Sequence, residues 1–405
     1  MIQILKMAFR DLGRNRRRTF FSALAVAVGL AILVLMAAVI QGEMGGAIEQ
    51  AIRLQSGHIQ LRAASYDESK SSLQWQDLVA NPAQIAAQVA AMSQVKAATP
   101  RLFASGFIST GNESTGVQIY GIDPASPAND PYRAGMISGD YLTADDAEGI
   151  LIGQPIAARL GLKAGDPLNL SVNTSNGDVQ QQVFTVRGIY TTNTFAFDNG
   201  TILMPLAKAQ ALTQTQNHAS TIFVLLKNTA DTDRVAAALK GSGLKVLTWT
   251  DLNALIVGWE TTAESYIAIF YLIILAITAS VIINTLIMSV YERTREIGVL
   301  SAIGMKGGRI MGLFLAESSL LAVGGVIMGL VLGLLGVALF NIKGYYIGNM
   351  GLSGIMITNT IYARLTLSDT INVTLLTFVV TILSGLYPAV MASRLEPVAA
   401  LRAEK

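Results

Sequence analysis

The feature that most constrains this chain is a set of four apolar stretches, residues 20–40, 266–290, 310–340 and 371–392, each long enough to cross a bilayer. A helix needs about 20 apolar residues, at about 1.5 Å of rise each, to span the hydrocarbon core. Residues 291–309, YERTREIGVLSAIGMKGGR, form a charged island between the second and third stretches. Such an island must be a short loop on one face of the membrane. Hydrophobic residues make up 52% of the chain and charged ones only 14%, too apolar a balance for an ordinary soluble enzyme.

The net charge of +2 carries little information, but its placement does. Lys6, Arg10, Arg14, Arg16, Arg17 and Arg18 crowd in front of the first span, and Arg293, Arg295, Lys306 and Arg309 lie between the second and third. Residues 41–265 are instead acid-rich, as at Asp145, Asp146 and Glu148. The positive-inside rule then puts both termini and the island in the cytoplasm and residues 41–265 outside. The expected fold class is an integral membrane α-helical protein with four transmembrane helices and a large extracytoplasmic α+β domain between the first two. Its expected location is the cytoplasmic (inner) membrane, which it crosses several times. There is no cysteine, so neither a disulfide nor a lipidated cysteine is possible.

In chain order, Ile2, Leu5, Phe9 and Leu12 fall on one helical face, and Lys6, Arg10, Arg14 and Arg17 on an adjoining one. Residues 1–19 therefore read as an amphipathic helix in the inner-leaflet interface, with those four cations at anionic headgroups. The alternative is a cleavable export signal, since Arg17-Arg18-Thr19-Phe20-Phe21 is like a twin-arginine signal. The apolar run exceeds the about 7–15 residues of such signals, and no small-x-small cleavage site follows, so a retained anchor is expected.

Within residues 41–265 the hydrophobic pattern becomes short and alternating, as in Ile59-Gln60-Leu61, Val117-Gln118-Ile119 and Phe184-Thr185-Val186, which predicts half-buried strands. Asn81-Pro82 reads as an N-cap and first helical position, opening a helix to about Met92 with a strand near Val95. A second helix over 231–240 leads through a glycine turn to a strand over 244–249. With strands at 58–62 and 221–226 before them, these helices make two β-α-β units around a β-rich insert at about 123–216. Thr250 or Asp251 is placed to cap a helix running unbroken into the second span as a stalk.

Glu317, near the cytoplasmic end of the third span, reads as a partly solvated residue capping the helix or pairing with a cytoplasmic arginine, with a substrate contact as the alternative. Gly324, Gly325, Gly329 and Gly333 allow close helix packing, within a chain or between protomers. Asn284 in the second span is suited to bonding across helices. Residues 341–370 form a second outer loop. The last span ends at Tyr387-Pro388, where proline stops or kinks the helix as it meets the cytoplasm, before a charged tail, 393–405, with Arg394, Glu396 and Arg402.

In the island, Glu292, Arg293, Arg295 and Glu296 precede Ile297, Leu300, Ile303 and Gly304 at helical spacing. The pattern predicts a short helix with a polar end and an apolar face, closed by Gly307 and Gly308. An ordinary turn between hairpinned helices has the same periodicity. The residues themselves say more. ERTREIGVLSAIGM, residues 292–305, closely resembles the cytoplasmic loop of the MacB/FtsX/LolC-LolE family of ABC-transporter permeases. The resemblance extends to YPAVMASRLEPVAALR, residues 387–402, to the basic amphipathic start and to the overall layout.

That resemblance implies a coupling helix seated in a cleft of an ATP-binding subunit, with Glu292, Arg293, Arg295, Glu296, Ile297, Leu300, Ile303 and Gly304 as its contacts. It implies a homo- or heterodimer of permeases on two ATPase subunits, with ATP and magnesium held by those partners. The spans would transmit motion to the outer domain rather than conduct substrate. QSGHIQL, residues 55–61, is most similar to the lipoprotein-releasing LolC/LolE branch. MacB-type export is the near alternative, although MacB carries its ATPase at the N-terminus and this chain begins at the membrane anchor. An FtsX-like protein that switches a cell-wall hydrolase is the third reading. The extracytoplasmic partner is accordingly a carrier, an adaptor or a hydrolase.

No Gly-x-x-x-x-Gly-Lys-[Ser/Thr] loop occurs, so ATP hydrolysis is expected in a separate subunit and the chain is not expected to be an enzyme. The only histidines, His58 and His218, make no metal-ligand pattern and read as strand-edge residues. Neither a Gly-x-Ser-x-Gly motif nor an HExxH helix is present, and no cofactor or metal is expected in the chain. The basic start lies against a span, which favours membrane lipids over nucleic acid as its partner.

Overall fold

The computed structural model describes residues 2–67, 73–111, 113–348 and 358–396. The chain forms two compact units, one of Met1–Glu43, Thr261–Tyr345 and Ile361–Lys405, the other of Met44–Glu260 and Tyr346–Thr360. Arg402, named above in the charged tail, lies outside the described residues, as do the side chains of Ile2 and Leu5.

The first unit is helical. An N-terminal helix, Ile2–Arg14, is followed after Asn15 by a long first helix, Arg16–Gln50. The second long helix is Ala254–Glu292, a short loop helix is Thr294–Ala302, and the third long helix is Gly307–Lys343. Four stretches, Arg16–Ser56, Ser265–Glu292, Gly307–Lys343 and Leu367–Ser393, are long and apolar enough to cross a membrane. The third helix packs on the first through glycine. A Cβ on Gly325 would lie 2.6 Å from Val26 Cβ, and one on Gly329 would lie 2.9 Å from the Ala27 carbonyl oxygen. These glycines therefore serve packing within the chain, where small residues let helix backbones approach. Leu30, Leu33, Val34, Leu275 and Val373 fill the space beside them.

The fourth span is kinked near Pro388 and not stopped by it. It breaks at Gly385 into Leu367–Ser384 and Leu386–Ser393, so Pro388 sits in the first turn of a new helix instead of ending the old one. There its missing N–H leaves no intrahelical bond unmade. Gly385 is needed at the break because a Cβ would meet Ser318 Oγ at 2.5 Å.

The second unit is built on a ten-stranded mixed sheet. At one end, Lys245–Thr248, Ile59–Arg62, Thr221–Leu226 and Val95–Thr110 lie side by side in that order, all antiparallel. Each β-α-β crossover thus skips one strand, and the strand it skips comes from the other unit. Helices Pro82–Ala90 and Thr232–Leu239 cover this part, burying Val89 and Val235 against Ile59, Leu61 and Val224. Asn81 precedes Pro82 but does not cap through its side chain. It is left-handed at φ 50°, and its Oδ1 accepts from Asn217 Nδ2 at 2.6 Å.

Val95–Thr110 serves both parts of the sheet. Residues 95–101 pair with Thr221–Leu226, and residues 102–110 with Glu113–Ile122. The second hydrophobic cluster, with Leu102, Ile119, Ile150, Phe184 and Ile202, starts at that changeover. Arg101 sits there, fully buried. Its guanidinium donates to the Leu54 carbonyl and to Asn129 Oδ1, each at 2.8 Å, and lies 3.5 Å from the Phe223 ring centroid. Leu54 belongs to a π-helical turn, Ala51–Ser56, and its carbonyl also accepts from Tyr132 Oη at 2.8 Å. His58 lies at the start of a strand, where its Nδ1 accepts from the Leu226 N–H at 3.2 Å. Burial, with Lys96 adding to it, holds its imidazole below the ordinary range.

The expected stalk helix is interrupted. Thr248 and Asp251 form a capping box on the short turn Trp249–Leu252, and Asn253, at φ −118° and ψ 41°, separates that turn from the second long helix. Asn253 donates to the Trp249 carbonyl twice, from its backbone N–H at 3.0 Å and from Nδ2 at 2.7 Å, which closes the short turn before the long helix starts.

Candidate functional site

The loop helix Thr294–Ala302 begins at a buried cation. Arg293, its N-cap residue, is 4% exposed although it opens a charged sequence. Its Nη1 lies 2.8 Å from Glu317 Oε1 and 3.1 Å from Asp11 Oδ2, and its Nη2 donates to the Asp11 carbonyl at 3.2 Å. One guanidinium thus ties the loop to the third helix and to the N-terminal helix. Glu317 is 1% exposed, not partly solvated, and pairs with this arginine. Two carboxylates around one planar donor satisfy what would otherwise be costly buried charge.

The other charges of the loop pair outward, near solvent. Glu296 Oε1 is 2.9 Å from Arg14 Nη2. Glu292 Oε2 meets Arg18 Nη1, and Arg18 Nη2 donates to Ser289 Oγ at 3.0 Å. Arg295 is exposed, with no ion pair among the described residues.

The apolar residues of the loop divide between two faces. Ile297, 4% exposed, packs with Val290, Ile310, Phe314, Ala389 and Ala392, so it anchors the loop to its own chain and is not open to a partner. Leu300 is half-buried. Ile303 is 76% exposed and lies one residue past the last helical residue, Ala302. Together with Arg295 and Val299, four residues apart along the chain, it forms the outward face; Tyr291, at the end of the second long helix, is exposed as well.

Gly304, at φ +92°, ends the helix; the Gly307 and Gly308 pair expected to do so instead opens the third helix. The Gly304 N–H donates to the Ser301 carbonyl and the Met305 N–H to the Leu300 carbonyl, both at 3.0 Å. This is the double bond of a Schellman stop, which requires a left-handed residue.

Of the cations assigned to the membrane surface, Lys6, Arg10 and Arg17 are exposed, whereas Arg14 is engaged with Glu296. The apolar face of the N-terminal helix is split. Leu12 packs toward Val26, Ile282, Leu286 and Leu321, while Phe9 is exposed. Asn284 lies on an exposed face of the second helix. Sequence reasoning missed Asp11 and Arg18. Asp11 was findable, being the single acid among the cations of residues 1–19. Among the described residues no group of histidine and carboxylate side chains could hold a metal ion.

Two family profiles match the chain: the MacB-like periplasmic core domain over residues 19–242, and the FtsX-like permease C-terminal domain over residues 268–397. Among curated relatives, the macrolide export ATP-binding/permease protein MacB of Bdellovibrio bacteriovorus is 26% identical, covering 100% of this chain and 62% of the relative. The MacB of Neisseria gonorrhoeae is 23% identical, over 81% of this chain and 52% of the relative. The chain thus spans only between about half and two thirds of the length of these relatives. The lipoprotein-releasing system transmembrane protein LolE of Haemophilus influenzae is 22% identical over 93% of this chain and 92% of its own. Among solved structures, the periplasmic region of MacB from Actinobacillus actinomycetemcomitans aligns with 52% of this chain at 15% identity and a TM-score of 0.36.

Proposed function

This chain belongs to the MacB/FtsX/LolC-LolE family of ABC-transporter permeases, and on that premise we propose that it converts the motion of a separate ATP-binding subunit into movement of its extracytoplasmic domain. The observation that carries this reading is the two-sided loop helix. Its inner side is fixed to the chain by Ile297 and Arg293, while Arg295, Val299 and Ile303 face outward. An exposed apolar side chain such as Ile303 is suited to a pocket on a partner. In this reading the loop and both termini are cytoplasmic, and ATP with its magnesium is held by the partner. Two permease copies, identical or not, stand on two such subunits. Lys6, Arg10 and Arg17 rest at anionic headgroups.

For the substrate we propose lipoproteins handed to an extracytoplasmic carrier, supported by the likeness of QSGHIQL, residues 55–61, to the LolC/LolE branch. MacB-type export is the second reading, favoured by the 26% identity to MacB along the whole chain. The test is depletion of the chain in its native cells. Lipoprotein release predicts retention of acylated proteins in the inner membrane. Unchanged lipoprotein distribution with raised sensitivity to exported compounds would replace it with the second reading.

A further inference from the structure

Three ion pairs join the loop to the N-terminal segment, and their signs form a pattern. The loop presents Glu292, Arg293 and Glu296; opposite them stand Arg18, Asp11 and Arg14. Every contact is between opposite charges. Moving the loop along the N-terminal segment until Arg293 faced Arg14 or Arg18 would set like charges against each other. The pattern therefore selects one register by repulsion in the others as well as by attraction in this one.

The contacts also come from both sides of a break. Asp11 and Arg14 belong to Ile2–Arg14, and Arg18 to the first turn of Arg16–Gln50. At the break itself, Asn15 Nδ2 donates to Glu292 Oε2 at 3.5 Å. The loop is gripped by an elbow whose second arm is the first long helix. Arg293 and Glu317 are the buried part of this arrangement, while Arg14 and Glu296 are about half exposed, at 52% and 55%. Exposed pairs contribute little stability. Their value here is placement.

We propose that Asp11, Arg14 and Arg18 are positioning residues for the loop. They fix its register so that Val299 and Ile303 are presented to the ATP-binding subunit. A push on the loop then enters the first long helix through the elbow, and the third through Glu317. The proposal rests on the coupling reading above.

Because the chain has no cysteine, spin labels at Lys6→Cys and Ala302→Cys report the distance between the two elements in nanodiscs, without any ATPase present. A narrow distance distribution is expected. Arg14→Glu alone and Glu296→Arg alone should broaden or shift it, and the Arg14→Glu/Glu296→Arg exchange should restore it. With the ATP-binding subunit co-purified from native membranes, each single variant should retain that subunit yet lower stimulated ATP turnover about three- to tenfold, and the exchange should recover it. Arg14→Gln, which adds no repulsion, serves if a reversal prevents insertion. Unchanged distances in the single variants would overturn the register lock. Altered distances with wild-type turnover would overturn its positioning role. No stimulation even by the unmodified chain, with distances as expected, would overturn the coupling reading beneath it.

Discussion

Arg293 Nη1 stands 2.8 Å from Glu317 Oε1, with both side chains shut away from solvent, where the loop meets the third long helix. The pair turns a surface loop into a part of the helical bundle. Arg293→Ala would leave Glu317 buried without its cation, at a cost of about 3–5 kcal/mol. Arg293→Lys should recover little, because one ammonium cannot span two carboxylates and the Asp11 carbonyl as a planar fork does. Thermal unfolding in nanodiscs measures both. A double variant, Arg293→Met/Glu317→Leu, should be more stable than Arg293→Ala, since it removes both charges together.

Gly329→Leu should separate the first and third long helices, because a Cβ there already meets the Ala27 carbonyl oxygen at 2.9 Å. Overpacking of this kind costs about 1–3 kcal/mol or more. Gly324, where nothing lies within 4 Å of an added Cβ, is the control. Gly324→Leu should unfold at the temperature of the parent chain.

The outer domain should lose local stability in mild acid through His58. Burial lowers its folded pKa below the unfolded value of about 6.5, so below that pH the unfolded chain takes up a proton that the folded chain resists. Its contribution is complete above pH of about 6.5 and is lost as pH falls through the folded pKa. Protonation at Nδ1 also removes the acceptor of the Leu226 N–H. The protection factor of the Leu226 amide, with the intrinsic slowing of exchange in acid divided out, should therefore fall from pH 7.5 to pH 5, and His58→Gln should flatten the difference.

Topology is accessible to single cysteines. Asp178→Cys, on an exposed turn of the extracytoplasmic domain, should react with an impermeant maleimide on spheroplasts, and Ala302→Cys in the loop should react only after permeabilisation. The reverse pattern would place the loop on the wrong side for any ATPase.

Much of this was readable from residues alone, and the rest was not for definite reasons. The spans follow from length and apolarity, and the loop helix from the spacing of Glu292 to Leu300. The division of its faces did not follow. Ile297 and Ile303 are six residues apart, about 240° around a helix at 100° per residue, so they never shared a face. Which of the two turned inward depended on Phe314 and Ala389, on other helices. The ion pairs were hidden by separation, Arg14 and Glu296 being 282 positions apart. Gly304 stopped the helix before Gly307 because two backbone bonds close there, whereas a glycine pair offers only flexibility. In the extracytoplasmic domain the two β-α-β units were visible as alternating runs. That Val95–Thr110 is shared by both parts of the sheet was not, since the buried set shifts from 95, 97, 99 and 101 to 102, 104, 106 and 108 only through its different partner strands.

The most direct measurement is ATP turnover in nanodiscs by the ATP-binding subunit together with this chain carrying Val299→Asp/Ile303→Asp. Both positions are exposed, so the variant should insert and label at Asp178→Cys as the parent does. The expected result is release of the ATP-binding subunit during purification and loss of stimulated turnover, by about tenfold or more. Full retention of that subunit with turnover at the parent level would contradict a coupling role for the loop and leave it a turn between two spans.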